Sequence, residues 1–294
     1  MTNDSSGRVL ATNYAAHALD VLRDLDRQMP STWQTSRSDL AVLQQLIKQS
    51  EKFLLPPNGE LLLTSEYRDH FFDLLRLPYP VVALEIPVTH SDRLEGIQAT
   101  KSLLIAWTRE ADCAWPSVDD ANDAINFTEL VYWNHEWRLR PGVCGFSPSA
   151  PDFRGGKTVA SKGSATFPEY FGGCTLQEIE SELGGMFSSG FNAIIEFCVK
   201  VNCENVVQDR LAPSKVMNQK RVSKGKTPFF TYRFLQIPSP RSEEVPVGGT
   251  HASPRMHLRR GHPRRLATGK VTWVRNAIVG NPSIGVVDKT YVVR

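Results

Sequence analysis

Between His251 and Arg265 the chain places three histidines and five arginines in fifteen residues, with no acid among them. Two chemistries suit such a run. The planar guanidinium of arginine presents a fork that matches phosphate oxygens, so Arg255, Arg259, Arg260, Arg264 and Arg265, with Lys270 and Arg275 beyond them, read as a grip on a polyanion. His257 and His262 would touch the same phosphates, and Trp273 or Tyr232 would stack on a base. The second chemistry is proton transfer. Histidine titrates near neutral pH, so His257 and His262 could act as donor and acceptor about a phosphodiester, with Arg260 or Arg264 stabilising developing charge. On an extended strand His257 and Arg259 share one face, while Leu258 and Arg260 share the other. Gly261 then permits a bulge before His262. The plainer reading is structural: histidines cap backbone groups, and arginines bridge to acids elsewhere in the chain.

Charge is unevenly spread. Residues 210–294 hold 17 Lys and Arg against three acids, a net of +14. The other 209 residues hold 17 bases against 28 acids, a net of −11. An acid-free cluster cannot neutralise itself, so its partner is either the acidic part or an external anion.

Other motifs carry less. His251, His257 and His262 lie close together, but zinc wants about four tightly spaced ligands, often thiolates. Cys198 and Cys203 lie five apart on an expected helix, which points them in different directions, and five arginines oppose a cation. No metal and no cofactor are expected. Gly155-Gly156-Lys157-Thr158 and Gly225-Lys226-Thr227 imitate a nucleotide-binding loop, yet the leading glycine is replaced by Pro151 and Lys220. Trp133, His135, Glu136 and Trp137 gather on an expected hairpin; with Glu85 they could line a pocket, although tryptophans at a hairpin more often pack. Five scattered cysteines with no CxxC pair suggest reduced thiols. The apolar runs are too short to span a bilayer, and the polar first ten residues lack an apolar signal core. A cytoplasmic protein with no membrane partner is the expectation.

The elements that must position these residues follow from periodicity. Apolar stripes predict helices over 13–29 and 38–54, and a shorter one over 65–75. Pro80 to Pro87 reads as a buried strand and 101–109 as another. Residues 129–140 form a hairpin turning near Asn134-His135. Gly, Pro and Ser over 141–163 suggest a loop. Thr175 to Glu178 has the form of a capping box, and a helix is expected over 190–202. Pro213 opens a short basic helix bearing Lys215, Lys220 and Arg221. Residues 228–237 alternate as a strand, and three more are expected over 255–260, 271–279 and 285–293, with turns at Thr268-Gly269 and Asn281-Pro282. The class is α+β: a helix-led acidic part (1–150), a linker or loop (151–165), and a β-rich basic part (166–294) built on a small antiparallel sheet.

The run His251-Ala252-Ser253-Pro254-Arg255-Met256-His257-Leu258-Arg259-Arg260-Gly261-His262-Pro263-Arg264-Arg265, followed by Gly269, Trp273, Arg275 and Val279-Gly280, resembles the ending of a family of uncharacterised tailed-phage and prophage proteins. Asn205-Val206, Asn218, Arg221, Gly225-Lys226 and Tyr232 fit the same pattern, and Leu77-Pro78-Tyr79-Pro80 with Leu84-Glu85 is an N-terminal echo. The resemblance covers the C-terminal third of the chain and brings no activity with it. It implies a phage-encoded protein in the host cytoplasm, where accessory proteins act on nucleic acids or on host and defence machinery. The first expectation is therefore a non-enzymatic protein that binds RNA or DNA through the His/Arg cluster. The alternatives are a nuclease using His257 and His262, and an inhibitor that engages a host protein through the acidic half during host takeover.

Overall fold

The computed structural model describes residues 10–59, 69–88, 99–115, 117, 121–151, 162–172, 190–237, 255–259, 262–274, 277–279 and 281–286. The chain opens with helix α1 (Tyr14–Gln28), which buries Ala15, Ala18, Leu19 and Leu22 on one stripe. It stops at Met29, which is extended because the residue before a proline is pushed out of the helical region. Helix α2 (Gln34–Gln49) buries Leu40, Leu43, Leu46 and Ile47 in the same way. It ends earlier than its stripe suggests. Residues Glu51–Leu54 form strand β1, not a last helical turn, because Phe53 and Leu54 are buried between parallel neighbours on both edges.

Short 3-10 turns at Pro57–Gly59 and Asp69–Leu74 lead to β2 (Val81–Pro87). The second turn stands in for part of the helix expected over 65–75. Then come β3 (Ala99–Trp107), β4 (Ile125–Trp133) and β5 (Glu136–Arg138). Asn134 and His135 turn the β4–β5 hairpin at φ 49° and 65°, the pair of positive angles that a type I′ turn demands. The segment expected to be a loop from 141 instead begins with a fully buried strand, β6 (Gly142–Phe146), which pairs with β4 and with β7 (Lys162–Ala165). The capping box at Thr175 lies outside the described residues.

Residues 190–201 are helix α3. A side chain added at Gly190 would meet Leu104 at 3.0 Å and Phe127 at 3.2 Å, so glycine lets α3 start against the sheet. After β8 (Val207–Leu211) and α4 (Lys215–Val222), strand β9 (Tyr232–Gln236) joins β1 in parallel. The result is a mixed nine-stranded sheet in the order β7-β6-β4-β3-β2-β1-β9-β8, with β5 on β4. It draws strands from both sides of residues 151–165. The protein is α+β.

Both faces of the sheet are covered, which is why β2 is buried at every position. Val81, Ala83, Leu103, Ile105 and Trp107 face α1 and α2. Val82, Leu84, Leu104, Phe127 and Phe146 face α3. Beyond the sheet, β10 (Arg255–Arg259) lies between β13 (Ala277–Val279) and β14 (Asn281–Val286), while β11 (His262–Arg265) pairs with β12 (Val271–Val274). The turn expected at Asn281-Pro282 is the start of β14; at a sheet edge the missing proline N–H goes unnoticed.

Candidate nucleic-acid interface

The best-defined part of the basic cluster is the β11–β12 hairpin. His262 pairs with Val274, Pro263 with Trp273, Arg264 with Thr272 and Arg265 with Val271. Residues opposite one another in an antiparallel pair share a face, and alternate positions switch faces. One face therefore carries Pro263, Trp273, Arg265 and Val271, and the other carries His262, Arg264, Thr272 and Val274. The turn closes with Leu266 N–H donating to the Lys270 carbonyl at 2.8 Å and Gly269 at φ 82°, the left-handed position of a three-residue hairpin loop.

The first face is docked. Val271 and Trp273 are 4% and 6% exposed and join the cluster that α3 covers. The Asn205 side chain donates to the Trp273 carbonyl at 2.9 Å and accepts its N–H at 2.6 Å, and Glu204 N–H donates to the Val271 carbonyl at 3.0 Å. Arg265 donates to Asp73 at 2.7 Å and to the Gly269 carbonyl at 2.9 Å. Lys270 pairs with Glu204 at 2.9 Å. The Lys200 ammonium lies 5.1 Å from the Trp273 ring centre, and its pKa is lowered by burial.

This geometry corrects the expected roles of several residues. Trp273 is a core residue and does not offer its ring to a base. Tyr232 is wholly buried and donates to Glu85, so it is no stacking platform either. Arg265 and Lys270 tie the hairpin to acids of the rest of the chain, which is the structural role weighed against phosphate binding. Arg264 is exposed and His262 half-buried on the opposite face. Arg255, His257 and Arg259 lie on strand β10, where His257 pairs with Val279 and Arg259 with Ala277. His251, Arg260, Gly261 and Arg275 lie outside the described residues.

Other motif residues are clamps. Asn218 holds the backbone of Phe229 through its N–H at 2.7 Å and its carbonyl at 2.9 Å. Arg221 reaches Asp20 at 2.8 Å and the Thr227 carbonyl at 2.6 Å. Thr227 N–H donates to Asp20, so the Gly225-Lys226-Thr227 imitation of a nucleotide loop is directed at a carboxylate; its companion at Gly155 lies outside the described residues. Glu85 takes no part in a pocket with the β4–β5 tryptophans. It accepts from Thr12 Oγ1, from Tyr14 N–H at 2.9 Å and Ala15 N–H at 2.7 Å, and so caps α1 from the sheet. Burial pushes its carboxyl up, against four donors that pull the other way. Trp137 packs on Tyr14 and Tyr132, and the Arg138 guanidinium covers the Trp133 ring.

Sequence reasoning passed over Glu129. It is buried on β4, accepts from Ser102, and leaves Oε2 without a hydrogen bond, 3.9 Å from Arg140 Nε. Burial pushes this carboxyl up as well. An alternating apolar strand gave no sign of it. Among the described residues no group of three or more His, Cys, Asp and Glu is placed to hold a metal, and no helix is long and apolar enough to cross a membrane.

The fold and this surface define an α+β protein with a docked basic hairpin. Compared with protein-family models, curated proteins and solved structures, the chain matches none.

Proposed function

We propose that this is a nucleic-acid-binding accessory protein of phage origin, acting in the host cytoplasm without catalysing a reaction, with the outward face of the β11–β12 hairpin as part of its grip. The observation that carries the reading is the sidedness of the hairpin. Val271, Trp273 and the acid-paired Arg265 serve the docked face, while Arg264 and His262 lie on the other with Thr272 and Val274. An arginine is suited to a phosphate, because its planar fork loses little freedom when two hydrogen bonds form. Arg255, His257, Arg259, Arg260 and Arg275 belong to the grip by sequence, as parts of the same His/Arg run.

Binding through phosphates releases counterions, so affinity should fall linearly with salt on a log–log plot. If four or more cations of the cluster contact phosphate, the slope is at least about −3. Fluorescence anisotropy of labelled RNA and DNA across a salt series tests this. Affinity indifferent to salt would sink the phosphate reading and favour a protein target. An absorbance ratio showing nucleic acid carried through purification would support it.

A further inference from the structure

Helix α4 buries none of its residues. Short helices usually persist because an apolar face is packed. This one is held by polar ties instead: Asn218 to Phe229, Arg221 to Asp20 and Thr227, and from α1 Arg23 to the Gly225 carbonyl at 2.8 Å and the Thr227 hydroxyl at 2.7 Å. Arg221 also lies 4.1 Å from the Phe229 ring centre. At roughly 100° per residue, Asn218 and Arg221 mark the inner side, and Val216, Gln219, Lys220 and Ser223 mark the outer side. All four outer residues are exposed.

No acid occurs between Asp209 and Glu243. Two of the cations in that interval are engaged, Arg221 with Asp20 and Arg233 with Glu51. Lys215, Lys220, Lys224 and Lys226 are exposed and make no ion pair with a described residue. The chain thus fixes a helix that, with its following turn, presents four lysines and no acid, beside the exposed Val216, Met217 and Val222.

We propose that α4 and its turn form a second phosphate-binding element, reached by the same nucleic-acid strand that the hairpin grips; the inference rests on the reading above. Strand β8 joins the two. Asn205, which clamps the hairpin, lies just before β8, and α4 starts just after it. Five strand residues span about 17 Å, or about five steps of a duplex at ~3.4 Å per step. Among the described residues β8 pairs with β9 alone, and it exposes Arg210 along that edge, beside the acid Asp209. Lysines set as point charges suit a repeating phosphate ladder, without reading sequence.

The test uses the full chain, the substitutions Lys220→Gln with Lys224→Gln, and separately Arg264→Gln, against labelled single strands of about 24 and about 3 nucleotides, longer and shorter than the span. The lysine pair should weaken binding of the long strand about tenfold near physiological salt and lower its salt slope by about 1.4, while the short strand is unaffected. Arg264→Gln should weaken both lengths. Wild-type affinity and slope in the lysine variant overturn this inference and leave the hairpin reading standing. Loss in the lysine variant with Arg264→Gln silent overturns the hairpin reading and, with it, the shared strand. Binding of an acidic peptide in place of either strand, or of neither strand by the wild type, overturns both.

Discussion

The Tyr232 hydroxyl on β9 donates to Glu85 Oε1 on β2 at 2.8 Å, across the intervening strand β1. The same carboxylate receives the first N–H groups of α1. One buried group thus joins the first helix, the middle of the sheet and a strand that arrives 147 residues later. Removing the carboxylate leaves the Tyr232 hydroxyl and the first N–H groups of α1 unpaired, while removing the hydroxyl leaves Oε1 with its bond from Ala15 alone.

Tyr232→Phe should therefore lower stability by about 1–3 kcal/mol, and Glu85→Gln by about 3 kcal/mol, because its amide NH₂ would face donors where an acceptor stood. The two changes should not add, since they break the same contact. Urea unfolding of both single variants and the double variant measures the coupling; strict additivity would remove the bond from the account.

Lys52 caps the other end of the helical layer, donating to the Lys48 and Ser50 carbonyls at the end of α2 beneath the Phe230 ring. Burial lowers its pKa from 10.5 to about 8. Between those values the unfolded chain holds a proton that the native state has released, so this group favours the native state increasingly as pH rises from about 8 to 10.5. Relative to Lys52→Met, wild-type stability should improve over that window in denaturant titrations. A constant difference would place the ammonium in water.

Glu169 supplies the opposite case at the start of α2. It accepts from the Ser36 hydroxyl at 2.6 Å and from the N–H groups of Ser36 and Thr35, and the Ser36 bond leads in holding its carboxyl down to about 2. Its contribution is present above the ordinary carboxylate pKa and is lost as pH falls from about 4.5 to about 2. Melting temperature followed through that range should fall less steeply in Glu169→Gln than in the wild type.

Much of this architecture was legible in the sequence, and the exceptions share a cause. Helices α1 and α3, the Asn134-His135 turn and the basic helix after Pro213 are local patterns, settled by spacing and turn chemistry. Strand β1 was hidden because Phe53 and Leu54 continue the stripe of α2, and only their parallel neighbours decide between helix and strand. Strand β6 was hidden among glycines and prolines. At the candidate site, the run of His and Arg was plain, but its sidedness was not. Which face docks is fixed by Asn205 gripping Trp273 and by Asp73 meeting Arg265, contacts 68 and 192 residues apart in sequence. An aromatic within a basic run therefore read as a stacking platform when it is the anchor.

That anchor yields a direct test. Asn205→Ala removes a donor and an acceptor from the backbone of Trp273 and should free the hairpin locally, by about 1–3 kcal/mol. Hydrogen exchange at Val271 to Val274 should quicken while β2 and β3 keep their protection. Loss of protection throughout would mean that the hairpin is integral to the main core.

The last prediction separates grip from chemistry on the outward face. Arg264→Ala should weaken nucleic-acid binding by about 1–3 kcal/mol if the guanidinium makes charge-assisted phosphate bonds. His262→Ala should have a smaller effect, because its half-buried ring lacks the bidentate fork that Arg264 offers a phosphate. Since the protein is proposed to bind without cutting, labelled RNA and DNA should remain intact with the wild type and with both variants, from pH 5 to 8. A nuclease would behave differently: His262→Ala and His257→Ala would still bind yet lose cleavage about a hundredfold or more, the scale of general acid–base contributions. A denaturing gel of the strands, run beside a binding titration of the same samples, reads both quantities at once. Cleavage abolished by either histidine change would replace the binding role with catalysis. Intact strands with arginine-dependent binding would hold it. If neither binding nor cleavage occurs, Arg264 has no external partner, and the acidic half of the chain becomes the part that meets a host protein.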